Sequence, residues 1–354
     1  MSGSVGTNSS RRSGSIGTAA SGPTVSSSDP AIDTNAELGT QWANSTSGEF
    51  YVLTDATTDE NIWTNVDAAG DDITPPASMR GSRGFSACGH GKDSIDYWAI
   101  ATLGNATDFG NAVEHTDGKK GVTNITRAVM WNNGTTNVIE YITCGTAGNA
   151  LDFGDETTGT DQGNGPECVG NGTRGIAMGR SESDIVDIDY ITIASAGNAT
   201  DFGDRTQAGG RGGRGENETR GVCMGGAATN VIDYITMATT GNSTDFGDRT
   251  TSNYNGGGVG GGGRAMSIGG HAALTTMEFV TIATTGNATD FGDLTVGARG
   301  CDACSNDTRG VRAAGVTEQV TLDYWAMVTA ANAVDFGDLN EGKQYTGCFS
   351  GVPL

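Results

Sequence analysis

The tripeptide Asp-Phe-Gly occurs six times, at Asp108, Asp152, Asp201, Asp245, Asp290 and Asp335, with its Phe recurring every 44 to 49 residues. Self-similarity at a period of this length marks a repeat architecture, in which one unit cannot bury its apolar face alone and must stack on its neighbours. Superposing the copies resolves four strand-length segments per unit. In the last full copy they are "RGCDACSND" (299–307), "TRGVRAAG" (308–315), "VTLDYWAMVTA" (320–330) and "NAVDFGDL" (332–339). The second segment opens on an Arg in every copy: Arg83, Arg127, Arg174, Arg220, Arg264 and Arg309. The third is rich in β-branched and aromatic residues, as in "VIDYITMATTG", which suits a pleated, half-buried surface. A Gly-Asn step then leads to the fourth segment in most copies and is expected to make a tight turn with φ > 0.

The ends of the chain bear on closure. The first copy starts at Arg83 and lacks an opening segment, because "TPPASMRGS" before it does not match one. The missing piece lies at the other end, where "DLNEGKQYTGCFSG" (338–351) aligns without gaps on "DLTVGARGCDACSN" (293–306). The expected fold is therefore all-β: a six-bladed β-propeller over 80–354, in which residues 345–351 pair with the strand starting near Arg83 and close the ring. Six copies also exclude a magnesium-holding role for Asp-Phe-Gly, since a phosphoryl-transfer site needs that motif once and the other kinase motifs are missing.

Within a unit, the acid before the aromatic (Asp96, Glu140, Asp189, Asp233, Glu278, Asp323) follows each recurring Arg at a distance suited to a facing position across a hairpin. One charge-assisted Arg–acid pair per unit is expected, with the Asp of Asp-Phe-Gly as the competing partner. The Phe is expected to fill the space between units and the Gly to admit close backbone approach.

A formal charge of −22 disfavours binding to a phosphate backbone, so nucleic acid is not expected as a partner. No apolar run reaches membrane-spanning length and the N-terminus has no signal-peptide core, so no membrane insertion is expected and the chain is read as made in a cytoplasm. Seven Cys, including a lone Cys301-x-x-Cys304 whose side chains would point to opposite strand faces, read as buried small residues rather than a disulfide or metal framework. No cofactor is expected, and the DxxD spacing is too sparse for a dedicated calcium loop.

Residues 1–32 form a Gly/Ser/Thr-rich segment read as an N-terminal arm, with Arg11 and Arg12 as candidate anchors. Residues 33–79 are read as a β-hairpin module and linker, with Trp42, Tyr51 and Trp63 as further anchoring candidates and Pro75-Pro76 as the stiff end. Recognition is sought where the copies differ. The connections between units vary most and carry His115, Lys119, Lys120, Arg211, Arg214 and Tyr254. Trp98 and Trp325 replace the Ile or Val of the other copies, either to fill a wider gap or to offer a docking surface.

The wording of the repeat, "RGVCMGGAATNVIDYITMATTGNSTDFGDRT", resembles the kelch-like repeats of virion structural and tail-fibre-like proteins of marine tailed bacteriophages, of the cyanophage type. "LGTQWANSTSGEFYVLTDATTDENIWTN" is similar to a short module near the start of phage tail-fibre and tail-tip proteins. Together these cover about 80–354 and 33–68. Cellular kelch repeats typically carry Trp in the fourth strand, where this chain has Phe. The resemblance implies a kelch-like propeller in a non-enzymatic virion protein displayed on the particle. The contrast between the low-complexity arm and the acidic repeat region favours a tail-associated fibre or adhesion subunit, joined to other virion proteins through its arm. A homo-oligomer in the virion, facing a host receptor or glycan, is expected. A capsid decoration protein is the competing reading. A glycan-acting propeller enzyme is the other, but no sialidase-type Arg triad is visible, and His90, His115 and His271 fall in separate copies.

Overall fold

β-branched and aromatic residues crowd "VIDYIT" and its equivalents, which favours extended strands packed against their neighbours. The computed structural model describes residues 22–31, 34–56, 61–67, 70–73, 80–115, 117–132, 136–157, 165–180, 185–226 and 229–352. Those residues form several small, predominantly antiparallel sheets and no helix, so none is long and apolar enough to cross a membrane. The chain divides into two units, 1–77 and 78–354.

In the first unit, Gln41–Asn44 and Phe50–Asp55 make the antiparallel pair expected of "QWANSTSGEFYVLTD", continued by Ile62–Asn65. Thr24–Ser26 adds in parallel to Gln41–Asn44. The end of the segment read as an arm is therefore an edge strand, fixed by the Trp42 Nε1 bond to the Ser28 carbonyl (2.9 Å) and by Asn44 Nδ2 donating to Asp29 (2.7 Å).

In the second unit the first sheet is Gly347–Gly351, Arg83–Gly89, Lys92–Ala99 and Thr107–Asn111. The C-terminal strand pairs as the sequence predicts, from Gly351 opposite Arg83 to Gly347 opposite Ala87. The second sheet is Lys120–Thr123, Arg127–Trp131, Val138–Thr143 and Leu151–Asp155. The third is Glu167–Gly170, Arg174–Met178, Asp187–Thr192 and Thr200–Asp204. The fourth is Gly213–Glu216, Arg220–Gly226, Thr229–Thr236 and Thr244–Asp248, linked through one residue pair, Arg214 and Met266, to the fifth. The fifth is Gly257–Gly261, Arg264–Ile268, Leu274–Thr281 and Thr289–Ala298; the sixth is Asp302–Ser305, Arg309–Ala313, Gln319–Ala326 and Val334–Lys343. Each opening strand touches that of the next sheet, and Gly347–Gly351 touches both Asp302–Ser305 and Lys120–Thr123.

One set of bonds joins each sheet to the next. The amide two residues past each Phe, in Asn111, Asp155, Asp204, Asp248, Asp293 and Asp338, donates to Oδ1 of Asn149, Asn198, Asn242, Asn287, Asn332 and Asn105, at 3.0 to 3.1 Å. The last of these runs from the sixth sheet to the first. The Phe rings fill the spaces between sheets: Phe153 packs with Ile191 and Ile193, and Phe336 with Trp98 and Ile100. The motif Gly is required by contact, since a Cβ on Gly154 would lie 2.4 Å from the Gly197 carbonyl oxygen. The Gly-Asn step is not a two-residue hairpin. Residues 237–243 separate the third and fourth strands of the fourth sheet, because Asn242 is turned outward to serve its neighbour.

The expected Arg–acid pair does not form. Arg83 lies opposite Ala99, whereas Asp96 lies opposite Ser86, so the two are out of register. Each recurring Arg instead stacks on the aromatic of its own sheet, as Arg220 does on Tyr234 at 4.7 Å, with Tyr234 edge-on to Phe246 at 5.8 Å. Its Nη1 then donates to carbonyls of the next sheet, Ile282 and Ala283 for Arg220, and Ile100 and Ala101 for Arg309. The Asp of Asp-Phe-Gly is exposed in all six copies and pairs with no Arg among the described residues.

Phe246→Ala is expected to cost about 3–5 kcal/mol, as for a large buried aromatic, read as a lowered urea midpoint. Truncation after Gln344 removes the C-terminal strand and should abolish cooperative unfolding of the second unit, followed by circular dichroism.

Candidate functional site

The opening strands bring charge together where the repeat alone gives no reason for it. Arg214 forms a two-pronged ion pair with Asp302, Nη1–Oδ1 3.0 Å and Nη2–Oδ2 2.9 Å, and a further contact to Glu167 at 3.2 Å. Lys120 reaches Asp302 at 3.1 Å. The Gly258 amide (3.2 Å) and the Cys348 amide (2.8 Å) donate to the same carboxylate, and Arg214 donates to the Cys348 carbonyl at 3.0 Å. The cluster thus takes a group from all six opening strands and balances two cations against two carboxylates. Burial would push the Asp302 carboxyl up, but Arg214 and Lys120 outweigh it and hold it below the ordinary carboxylate value. Gly258 is obligatory here, because a Cβ would lie 2.2 Å from the Arg214 nitrogen.

The six recurring acids are buried and bridge sheets. Each accepts a hydrogen bond from the residue four places past the Phe of the preceding sheet: the Val113 amide, Thr157, Thr206, Thr250, Thr295 or Asn340. Five also meet a cation: Asp96 with Lys343, Glu140 with Lys119, Asp233 with Arg205, Glu278 with Arg249 and Asp323 with Arg312. The exception is Asp189, since the nearby Arg180 pairs with Glu156. Burial accordingly raises the Asp189 carboxyl, only partly opposed by Thr157 and Arg180.

Lys119, Lys120, Arg211 and Arg214, read from the sequence as exposed loop residues, are therefore internal, at 0%, 2%, 5% and 4% exposure. The variable connection ends earlier than its composition suggests, and these residues lead into or lie on the opening strands. Of the other loop candidates, His115 is exposed and Tyr254 half-buried. Trp98 and Trp325 are buried between sheets, each facing a Gly across its strand pair, and offer no docking face. In the first unit Tyr51 and Trp63 form the module's own core, with Trp42 edge-on to Trp63 at 5.9 Å, so they do not serve as exposed anchors. Arg11, Arg12 and Pro75-Pro76 lie outside the described residues.

The two ends of the opening strands differ. At their C-terminal ends Arg80 inserts its guanidinium between Glu216 (2.7 Å) and Asp307 (2.8 Å). Arg80, Glu216, Arg214, Cys168 and Cys348 help line a cavity of about 50 Å³ there. That is room for a few waters and far below the roughly 300 Å³ at which small-molecule clefts begin. Before the N-terminal ends, residues with left-handed φ are chained by amide–carbonyl bonds, Gly118 to Tyr345 (2.6 Å), Tyr345 to Gly300 (2.6 Å) and Gly300 to Asn255 (2.7 Å), and the amide of Gly256, which follows Asn255, donates to the carbonyl of Arg211 (3.1 Å). Arg211 stacks on Tyr345 at 4.7 Å, and Arg299 Nη2 donates to the Tyr345 hydroxyl at 2.6 Å. Beside Asn255, Tyr254 stacks on His271 with ring centroids 4.5 Å apart.

The seven cysteines are buried and none forms a disulfide, and burial pushes the Cys144 and Cys223 thiols up to about 12 and that of Cys301 to about 11, which disfavours the thiolate at these three positions. Cys301 and Cys304 belong to different core clusters, as their offset of three implies. Among the described residues no group of three or more His, Cys, Asp or Glu is placed to hold a metal. No protein-family model matches the chain, and no curated protein matches it.

Asp233→Asn leaves Arg205 buried without its carboxylate and should cost about 3–5 kcal/mol, whereas Asp189→Asn removes a carboxylate with no direct ion pair and should be near neutral at pH 7; paired urea titrations test the contrast. The depressed Asp302 carboxyl contributes stability that is complete above its unfolded value near about 4 and is lost as pH falls through its lower folded value. Thermal melts from neutral to acid pH should show that loss, with a flatter acid limb in Asp302→Asn.

Proposed function

We propose that residues 80–354 are a closed six-bladed β-propeller, and that the chain is a non-enzymatic virion protein of a tailed bacteriophage, a tail-associated fibre or adhesion subunit. The closed ring is supported by the junction bonds, which run from each sheet to the next and from Asp338 back to Asn105, and by the C-terminal strand on Arg83–Gly89. The observation that carries the functional reading is the use of the recurring polar residues: Arg, acid and Asn are spent joining sheets, and the thiols are buried. What differs from copy to copy is the connection preceding each opening strand, the pattern of a scaffold that presents loops. The virion assignment rests on the resemblance of the repeat wording and of the N-terminal module to phage structural proteins.

Gold-labelled antibody on purified virions should mark the tail. Label spread over the shell would favour capsid decoration, and release of sugars from host glycans by the purified protein would overturn the non-enzymatic reading.

A further inference from the structure

Lys119, Asn132 and Glu140 meet on one face of the second sheet. Lys120 lies opposite Trp131 in the register of the first two strands, so Lys119 and Asn132, each one place beyond that pair, are brought level. Glu140 lies opposite Met130, two places before Asn132, and residues two apart on an extended chain turn to the same face. All three side chains are fully buried. Lys119 Nζ donates both to Asn132 Oδ1 and to Glu140 Oε1. Glu140 is fixed by the Val113 amide on Oε2 (2.8 Å) and the Glu114 amide on Oε1 (3.1 Å), while Asn132 Nδ2 donates to Thr136 Oγ1 at 3.2 Å.

The other sheets arrange their acids differently. Asp233, Glu278 and Asp323 meet the guanidiniums of Arg205, Arg249 and Arg312, which stay protonated and are not nucleophiles. Lys343, the other amine paired with a recurring acid, donates to the main-chain carbonyls of Ser86 and Ser94, and the Asn340 carboxamide gives its Nδ2 to Asp96. Balancing the charge of Lys119 needs only Glu140. Asn132 adds an electrophilic carboxamide against the amine. An amine, a carboxamide and a carboxyl group held together away from water are the parts needed for an amide exchange: a nucleophile, a carbonyl carbon and a proton carrier.

We propose that Lys119 and Asn132 become joined by an amide bond that the folded protein forms by itself. Transfer of the ammonium proton from Lys119 Nζ to Glu140 replaces two buried charges by two neutral groups, which a dry interior favours. The Nζ lone pair adds to Asn132 Cγ. Glu140 passes its proton to Nδ2 as it accepts a second one from Nζ, and the Cγ–Nδ2 bond breaks. Ammonia leaves, carrying the remaining proton as ammonium, and a secondary amide between Nζ and Cγ stays beside the Glu140 carboxylate. The exchange consumes no oxidant, reductant or cofactor. Its product ties the opening strand of the second sheet to the strand beside it, where the Lys119 main chain approaches the C-terminal strand so closely that Gly347 has no room for a Cβ. Like a disulfide, the link closes a loop of the chain and so restricts the unfolded state, but reducing agents do not open it.

Mass spectrometry of the purified, denatured full chain tests the bond. The chain is expected to be lighter than its sequence requires by one ammonia, and a tryptic digest to contain a branched peptide in which Lys119 is uncleaved and linked to Asn132. Lys119→Arg keeps a cation for Glu140 and should restore the full mass with unchanged circular dichroism. The full sequence mass in folded parent protein, loss of ammonia mapped to any other residue, or the same loss in Lys119→Arg overturns the proposal. Formation of the branched peptide at an undiminished rate in folded Glu140→Gln overturns the proton transfers assigned to Glu140.

Discussion

Asp302 is held by two cations and two main-chain amides, contributed by four other opening strands. Removing a carboxylate from water costs several kcal/mol unless its partners are all in place. A partly gathered set of strands would therefore bury an uncompensated charge. This makes convergence of the opening strands all-or-none, and it explains the Gly-rich strand 257–261: strands that approach closely enough to share one carboxylate leave no room for a Cβ at Gly258.

Around that centre the sheets are held by chemistry that is repeated and outward-handed. Each junction combines a buried Phe, a Gly that admits the neighbouring main chain, and an Asn that accepts the neighbour's amide. The recurring Arg extends the same logic, stacking on its own sheet and donating to the next. These groups recur because every junction poses the same packing problem. They are consequently occupied at the junctions, and the copies differ instead in the connections, where Arg211 and Tyr345 occupy a left-handed position filled by glycine at Gly118 and Gly300.

Much of this was legible in the residues. The number of copies, the strand segments, the role of Phe and Gly, and the pairing of the C-terminal strand with Arg83–Gly89 all follow from aligning the repeats. The Arg–acid pair that the spacing predicts does not form, because spacing fixes neither register nor which sheet a long side chain leaves for. The burial of Lys119, Lys120, Arg211 and Arg214 is hidden in the sequence, because these residues sit in stretches whose composition resembles a loop. A signal was present nonetheless: seven residues before the recurring Arg, the aligned copies place Lys120, Glu167 and Asp302 in one column, with Arg214 one residue on. Opposite charges at one repeat position suggest that the position faces its own copies.

By itself the sequence determined the β content, the six-fold repeat and the positions of its ends, because these depend on periodicities of two and of 44 to 49 residues that are properties of the chain. Only the tertiary structure decided which charges are internal, which sheet each Arg and Asn serves, and that Trp98, Trp325, Tyr51 and Trp63 are core. Those outcomes depend on distances between residues far apart in the chain, such as Arg214 and Asp302, and a charge is a surface group or an interior brace according to whether such a partner arrives.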